Sequence, residues 1–521
     1  MHTGKTNFLA YSQDKKEIYK NHSFFLLSLE KRVKMKLKVK FLKLSAGRPI
    51  AILHERFAEK ANIHLGERIY ISKNSKKITA VLDTAKGMLK ENEIALSTEI
   101  SKPMKLKEGD IVEISPALKS ESIEIIHKKL ACKRLSKQEI KEIIQDIVKN
   151  KLTEAEIAYF VSAVYKCGMS IREVADMIIA ILGTGKKLGI KGKIADKHST
   201  GGIPGRTTPI IVAICSSLGL IIPKTSSRAI TSAAGTADAM ETICKVNFTI
   251  PEIKKIIRKT KACIVWGGSL NLAPADDKII QIERVLNLDP EAQLLASIIA
   301  KKLAVNAKYV LIDIPYGVSS KLQEREARSL ARKFQELGRY FKIKIECSLK
   351  NIEEPLGNGI GPALEIKDVI KVLKRENPCY LLESRALELA GKLLEMTGKA
   401  GKNQGIKLAR EILYSGKAFQ KFKEIVKAQQ GHVNGIKEAK FKHEIKASRN
   451  CRIKTINIKE LNSLARILGC PLDKTAGIYL HKHLKEKIKK GEKILTLYSE
   501  SINELKEGIK FYNQTKPIRL E

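Results

Sequence analysis

Apolar residues recur along this chain with two periods, and the switches between them mark its parts. From Lys36 the run Lys-Leu-Lys-Val-Lys-Phe-Leu-Lys-Leu alternates basic and apolar at period two, which puts one strand face in a core and the other in water. Glu67-Arg-Ile-Tyr-Ile71 and Lys77-Ile-Thr-Ala-Val-Leu82 repeat the theme, and Glu108-Gly-Asp-Ile-Val-Glu-Ile114 reads as a turn into a closing strand. Residues 35–118 are therefore expected to form a small β-barrel-like module. It carries no catalytic constellation, so packing or assembly is its expected role.

Over residues 119–186 the period becomes 3.6. Ser136 precedes Glu139, Thr153 precedes Glu156 and Ser170 precedes Glu173, three capping boxes that mark helix starts. Behind them run the stripes Ile140/Ile143/Ile144/Ile147, Ile157/Phe160/Val161/Val164 and Val174/Met177/Ile178/Ile181. These stripes read as core of a helical domain, and Gly168 and Gly185 end the second and third helices.

From Lys193 strands and helices alternate. Pro209–Gly219 reads as a buried helix, and Leu220-Ile-Ile222, Ala262–Trp266 and Tyr309–Pro315 as strands. Lys342–Ser348 alternates as an edge strand, and 324–337 is helical. That order predicts an α/β domain with a mostly parallel sheet. Residues 384–429 are helical again; 450–521 read as short strands with a helix at 458–468. The fold expected is a multidomain α/β protein: a helical domain (119–190 with 276–303) and a large α/β domain (191–430) with a cleft between them, preceded by the barrel-like module and ended by a small α+β domain (431–521).

A length of 521 residues agrees with several domains. The formal charge of +40 invites a nucleic-acid or membrane-surface reading. The lysines, however, are spread along the whole chain, and aromatic residues make up only 5%. The charge thus reads as a solvated surface that also gathers anionic substrates, with no nucleic acid or membrane expected as partner. Nine cysteines, none in a CxxC pair, read as reduced residues of a cytoplasmic protein without disulfides or a metal site. Residues 1–34 read as an extension upstream of a start at Met35.

Candidate chemistry gathers between Asp196 and Glu241. Lys197-His-Ser-Thr-Gly-Gly-Ile-Pro-Gly-Arg-Thr-Thr208 joins a cation, hydroxyls and glycines just before a helix. Such a loop lets backbone N–H groups and a helix N-terminus converge on an anion, most simply phosphate. A second loop, Ser226-Ser-Arg228 to Gly235-Thr236, repeats the idea. No GxxxxGK[ST] and no GxGxxG with a downstream acid is present, so nucleotide hydrolysis and hydride transfer lose ground.

These residues resemble the thymidine/pyrimidine-nucleoside phosphorylase family. Lys197-His-Ser-Thr-Gly-Gly, Ser227-Arg228, Gly235-Thr236-x-Asp238-x-x-Glu241, Leu272-Ala-Pro-Ala-Asp276 and Ala296-Ser297-Ile-x-Ala-Lys301-Lys302 carry the likeness. Leu464-Ala-Arg466, Asp473-Lys-x-Ala-Gly-Ile478 and Thr496-Leu-Tyr498 extend it to the C-terminus. The module at 35–118 points to the longer branch, which holds thymidine phosphorylases and archaeal AMP phosphorylases. The resemblance implies phosphorolysis: inorganic phosphate, as co-substrate and with no cofactor, attacks C1′ of a nucleoside or nucleoside monophosphate and the base leaves.

By the same resemblance Lys197, Ser199, Gly201, Gly202, Thr208 and Thr236 hold phosphate. His198, with Lys197 the candidate catalytic residue, would donate a hydrogen bond or proton to the leaving base. Arg228, Ser269, Ser297 and Lys301 would hold base or sugar; an ion pair with Asp238 or Glu241 is the simpler role for Arg228. An arginine that the family carries on the helix after Pro274-Ala-Asp276 falls here at Glu283, with Arg284 adjacent. The resemblance further implies a homodimer formed through the helical domain. The leading expectation is action on thymidine, with AMP phosphorolysis to adenine and ribose 1,5-bisphosphate as the alternative, and a basic nucleic-acid-binding protein as the alternative of another class.

Overall fold

The computed structural model describes residues 34–41, 44–117, 119–229 and 232–521. The expected N-terminal extension falls almost wholly outside them. Two compact units form, one of residues up to Glu124 with Asp146–Glu156, the other of Ile125–Gln145 with Ile157–Glu521.

In the first unit six strands close a barrel in the order β1-β5-β2-β4-β3-β6. They are β1 (Met35–Phe41), β2 (Ile50–His54), β3 (Arg68–Lys73), β4 (Lys76–Ala85), β5 (Glu93–Leu96) and β6 (Ile111–Pro116). The period-two alternation does its work here: Leu37, Val39, Ile69, Ile71, Leu82 and Ile114 turn inward and form an apolar core.

The helices Glu154–Cys167 and Ile171–Thr184 follow the stripes read from the sequence, and Phe160, Val161, Val174 and Ile178 are buried. All three capping boxes form. In the last, Ser170 Oγ accepts from Glu173 N at 3.3 Å while the Glu173 carboxylate accepts from Ser170 N at 2.8 Å. Gly185 does not end its helix in a left-handed turn; it is needed because a Cβ there would fall 1.8 Å from the Leu272 carbonyl oxygen. The helix Glu291–Ala304 joins Ile171–Thr184 in this layer.

The expectation of reduced cysteines throughout does not hold: Cys132 and Cys167 form a disulfide. They lie 35 residues apart, one just past the helix Ser122–Leu130 and one at the end of Glu154–Cys167, where the chain brings two helix ends within 5.2 Å, Cα to Cα. No sequence spacing announces such a meeting. The other seven cysteines are free.

The α/β domain is built on parallel strands β7 (Ala195–Ser199), β8 (Ile222–Ser226), β9 (Ala262–Trp266), β10 (Tyr309–Tyr316) and β11 (Lys344–Asn351). Their order is β11-β10-β7, then β8-β9, joined by a parallel bridge between Ile194 and Ile221. The buried helix Thr207–Ser217 and the helix Tyr380–Met396 pack into its core, where Ile211, Ile214, Leu389 and Leu393 are inaccessible.

Beyond them, Gly359–Ile360 (β12) joins three later strands, β13 (Phe441–Lys446), β15 (Gly477–Leu480) and β17 (Lys493–Ser499), in the order β12-β15-β17-β13. The C-terminal sheet thus borrows a strand from before residue 431. A second small sheet has the order β16-β14-β18, with β14 (Cys451–Ile456), β16 (Lys487–Ile488) and β18 (Ile518–Leu520). Among the described residues no helix is long and apolar enough to cross a membrane.

Candidate active site

Parallel strands send their carboxyl ends the same way, and the loops that follow gather at one edge, the usual ligand edge of such a sheet. From β7, β8, β9, β10 and β11 these loops begin at Thr200, Ser227, Gly267, Gly317 and Ile352. Ser199 pairs with Asp313, and Asp313 with Ser348, so one row of side chains crosses β7, β10 and β11.

Successive residues of a strand face opposite ways, and β7 uses both faces. On one, Lys197 Nζ lies 3.0 Å from Asp313 Oδ2 and donates to Thr207 Oγ1 at 3.1 Å. On the other, Asp196 takes Lys302 Nζ at 2.6 Å and Lys224 Nζ at 3.6 Å. All of these groups are buried. Burial lowers the Lys197 pKa, against the Asp313 carboxylate. Burial also pushes Lys224 down to about 7, against Asp196.

His198 shares the second face. Burial, and then the charges of Lys302, Lys224, Lys301 and Lys197, hold its pKa well below the usual imidazole value. The ring is therefore neutral near pH 7. In that form it can present an N–H. Its Nδ1 is buried and has no hydrogen-bond partner among the described residues.

The loop after Ser199 needs its glycines. Gly201 and Gly202 both have φ 91°, and Gly205 has φ 108°. At Gly205 a Cβ would lie 2.8 Å from Leu356 Cβ and 2.9 Å from Gly357 N, so the Gly357-Asn-Gly loop packs directly on this one. A wholly buried carboxylate, Glu365, ties the two together. It accepts from Gly205 N at 3.1 Å and Gly361 N at 3.2 Å, and pairs with Arg206 Nε at 2.5 Å. Thr207 and Thr208 open the next helix, both buried.

The second loop is fastened to the first. Arg206 donates to the Ala234 carbonyl. Asn462, far along the chain, donates to Gly202 O at 3.0 Å and accepts from Ala233 N at 3.1 Å. Thr236 is buried at the start of a five-residue helix, and Asp238 accepts from Gly235 N at 2.9 Å and Ala229 N at 2.7 Å. Arg228 takes the simpler of its two expected roles. Its guanidinium grips Glu241 through both Nη atoms, at 2.6 and 2.7 Å, and Asp238 at 3.0 Å, over the Trp266 ring. The Glu241 carboxyl is held down at about 2, first by Arg228.

Ser297 and Lys301, four apart on one helix face, meet at Asp276. Ser297 Oγ donates to Asp276 Oδ2 at 2.9 Å, and Lys301 Nζ lies 2.7 Å from the same oxygen. Lys301 is charged despite burial, because Asp276 and Asp277 raise its pKa. Ser269 does not join this group; its hydroxyl donates to Trp266 O at 2.9 Å. Glu283 is 8% exposed, and burial, then Asp276, push its carboxyl up to about 7. The neighbouring Arg284 instead feels Asp238, Arg466 and Arg228.

Sequence reasoning missed Asp313, Glu365, Asn462 and Lys321. A single acid inside the apolar strand Tyr309–Pro315 was the available signal for Asp313; the others gave none. Lys321 follows β10, packs its Cβ 3.6 Å from where a Gly202 Cβ would stand, and is paired with Asp289. Burial lowers it to about 8, against Glu283.

The second unit thus combines a helical layer with a parallel α/β sheet that carries a cation-lined glycine loop at its carboxyl edge. The comparisons with known proteins agree. Residues 123–185 match the helical bundle domain of a glycosyl transferase family, residues 191–419 its a/b domain, and residues 452–519 the pyrimidine nucleoside phosphorylase C-terminal domain. The chain is 41% identical to an AMP phosphorylase of Pyrococcus furiosus over 94% of its own length and 98% of the relative's. It is 42% identical to one of Methanocaldococcus jannaschii over 87% and 92%. For one of Thermococcus kodakarensis the figures are 41%, over 94% and 98%. The chain belongs to this nucleoside phosphorylase family of glycosyl transferases, and it is a pentosyltransferase.

Proposed function

We propose that the chain phosphorolyses AMP, yielding adenine and ribose 1,5-bisphosphate. The likeness to relatives named AMP phosphorylase over nearly the whole chain carries this reading above the thymidine one. Glu283 supports it. Where the family's arginine would donate to a carbonyl of thymine, a carboxyl accepts, and adenine offers an exocyclic amine.

In this reading inorganic phosphate sits in the Ser199–Gly205 loop against Lys197, Thr208 and Thr236. One of its oxygens bonds to C1′ as the C1′–base bond breaks. Holding the nucleophile in line replaces much of the entropy cost of a two-substrate step. Its negative charge stabilises the developing oxocarbenium ion. Neutral His198 offers an N–H to the base rather than a proton. Lys321, beside Gly202, is assigned to the substrate's own 5′-phosphate, and Ser297 and Lys301 to the base.

The test is phosphate-dependent base release, followed by chromatography, from thymidine, uridine, cytidine, AMP and CMP. Release of adenine from AMP is expected. Release from thymidine alone would sink the AMP reading, and no release from any of them would sink phosphorolysis itself.

A further inference from the structure

A string of alternating charges runs inward to Lys197, and its far members have no place in the reaction as set out above. Asp313 has two carboxylate oxygens with two different partners. Oδ2 lies 3.0 Å from Lys197 Nζ, and Oδ1 lies 2.5 Å from Arg385 Nη2. Arg385, on the helix Tyr380–Met396, is 3% exposed. Its Nη1 donates to Glu388 Oε2 at 2.8 Å, and its Nη2 to Ser348 O at 3.2 Å, beside the row that continues from Ser199 and Asp313. Glu388 is partly exposed and pairs at 3.2 Å with Lys392.

The order is therefore Lys197 (+), Asp313 (−), Arg385 (+), Glu388 (−), Lys392 (+). Lys197 and Asp313 alone would cancel, and a neutral pair attracts no anion. Arg385 occupies the other oxygen of Asp313 and shares its charge, so the inner three groups carry a net positive charge in a buried, weakly screened setting. A buried pair held only for stability gains little, since desolvation offsets the attraction.

We propose that Arg385 is a positioning residue for the anion site. By drawing on Asp313 it leaves the Lys197 ammonium free to hold inorganic phosphate, while Glu388, at the outer end, moderates that pull. This rests on the reading of Lys197 as a phosphate ligand.

The test is the equilibrium binding of inorganic phosphate to the full chain by calorimetry, with steady-state KM values for phosphate and for AMP measured beside it. In Arg385→Gln, phosphate binding is expected to weaken about tenfold, with the KM for AMP little changed, and Arg385→Lys to recover part of the loss. Glu388→Gln is expected to act in the opposite direction, tightening phosphate about two- to threefold. A purely structural role would lower thermal stability and active fraction without selecting phosphate over AMP. Phosphate binding by Arg385→Gln within twofold of wild type, in a folded protein, would overturn the proposal. Should Arg385→Gln not fold, unchanged or weaker binding by Glu388→Gln overturns it. A wild-type chain that binds no phosphate and releases no base condemns the phosphorylase reading instead.

Discussion

The closed N-terminal barrel and the open α/β sheet both have well-packed cores, yet they bury different things. The barrel interior is Leu, Val, Ile and Ala, and one of its few buried polar groups, Ser97, accepts from Ile50 N at 3.1 Å. The α/β core buries Asp196, Lys197, Lys224, Lys302, Asp313, Glu365 and Arg385, none more than 4% exposed. Ions cost several kcal/mol each to desolvate, and packed hydrophobic groups would serve stability as well. The barrel core is assembled almost without buried ions. The buried charge of the α/β core is therefore not accounted for by stability.

The sharpest way to break that contrast is Asp196→Asn. It leaves Lys302 and Lys224 facing an uncharged amide, so a loss of about 3–5 kcal/mol is expected in chemical denaturation. A loss under about 1 kcal/mol would mean that these ions are not coupled as described.

Glu283→Gln probes the same core through pH. The Glu283 carboxyl is raised from 4.5 to about 7, chiefly by burial. Below pH 4.5 it is protonated folded and unfolded alike, and the substitution changes little. Between pH 4.5 and 7 the unfolded chain ionises while the folded carboxyl keeps its proton, so stability is lost across that window and the loss is complete once the folded carboxyl also ionises above 7. The glutamine variant should therefore be the more stable by about 1–3 kcal/mol at pH 8, with the gap closing towards pH 4.5. A gap that does not vary with pH refutes the assignment.

The smallest effect belongs to the barrel. Ile69→Val should cost about 1 kcal/mol, in proportion to the methylene removed, and leave turnover untouched. A change in kcat or in phosphate KM from that position would erase the distinction between the two regions.

What could be read in the sequence followed from local physics. Period two marked the barrel strands, hydroxyl–carboxylate pairs marked the helix starts at Ser136, Thr153 and Ser170, and the glycines at 201, 202 and 205 marked a loop whose backbone takes positive φ at all three. What could not be read depends on distance along the chain. Lys197 meets Asp313 from 116 residues away only because β7 and β10 pair in one register. Arg385 lies in a stretch read only as helical, and Glu365 in one to which the pattern assigned no element. The Cys132–Cys167 bond depends on two helix ends converging. The ion pair of Arg228 with Asp238 or Glu241 was legible from their spacing, and the structure shows it engaging both.

Asn462 has a consequence for how the protein comes to be made. Its one amide joins the Gly202 carbonyl to the Ala233 N–H, 260 and 229 residues back along the chain. During synthesis both glycine loops leave the ribosome long before it does. Until about the last ninth of the polypeptide emerges, the Gly202 carbonyl and the Ala233 N–H lack the amide that joins the two loops.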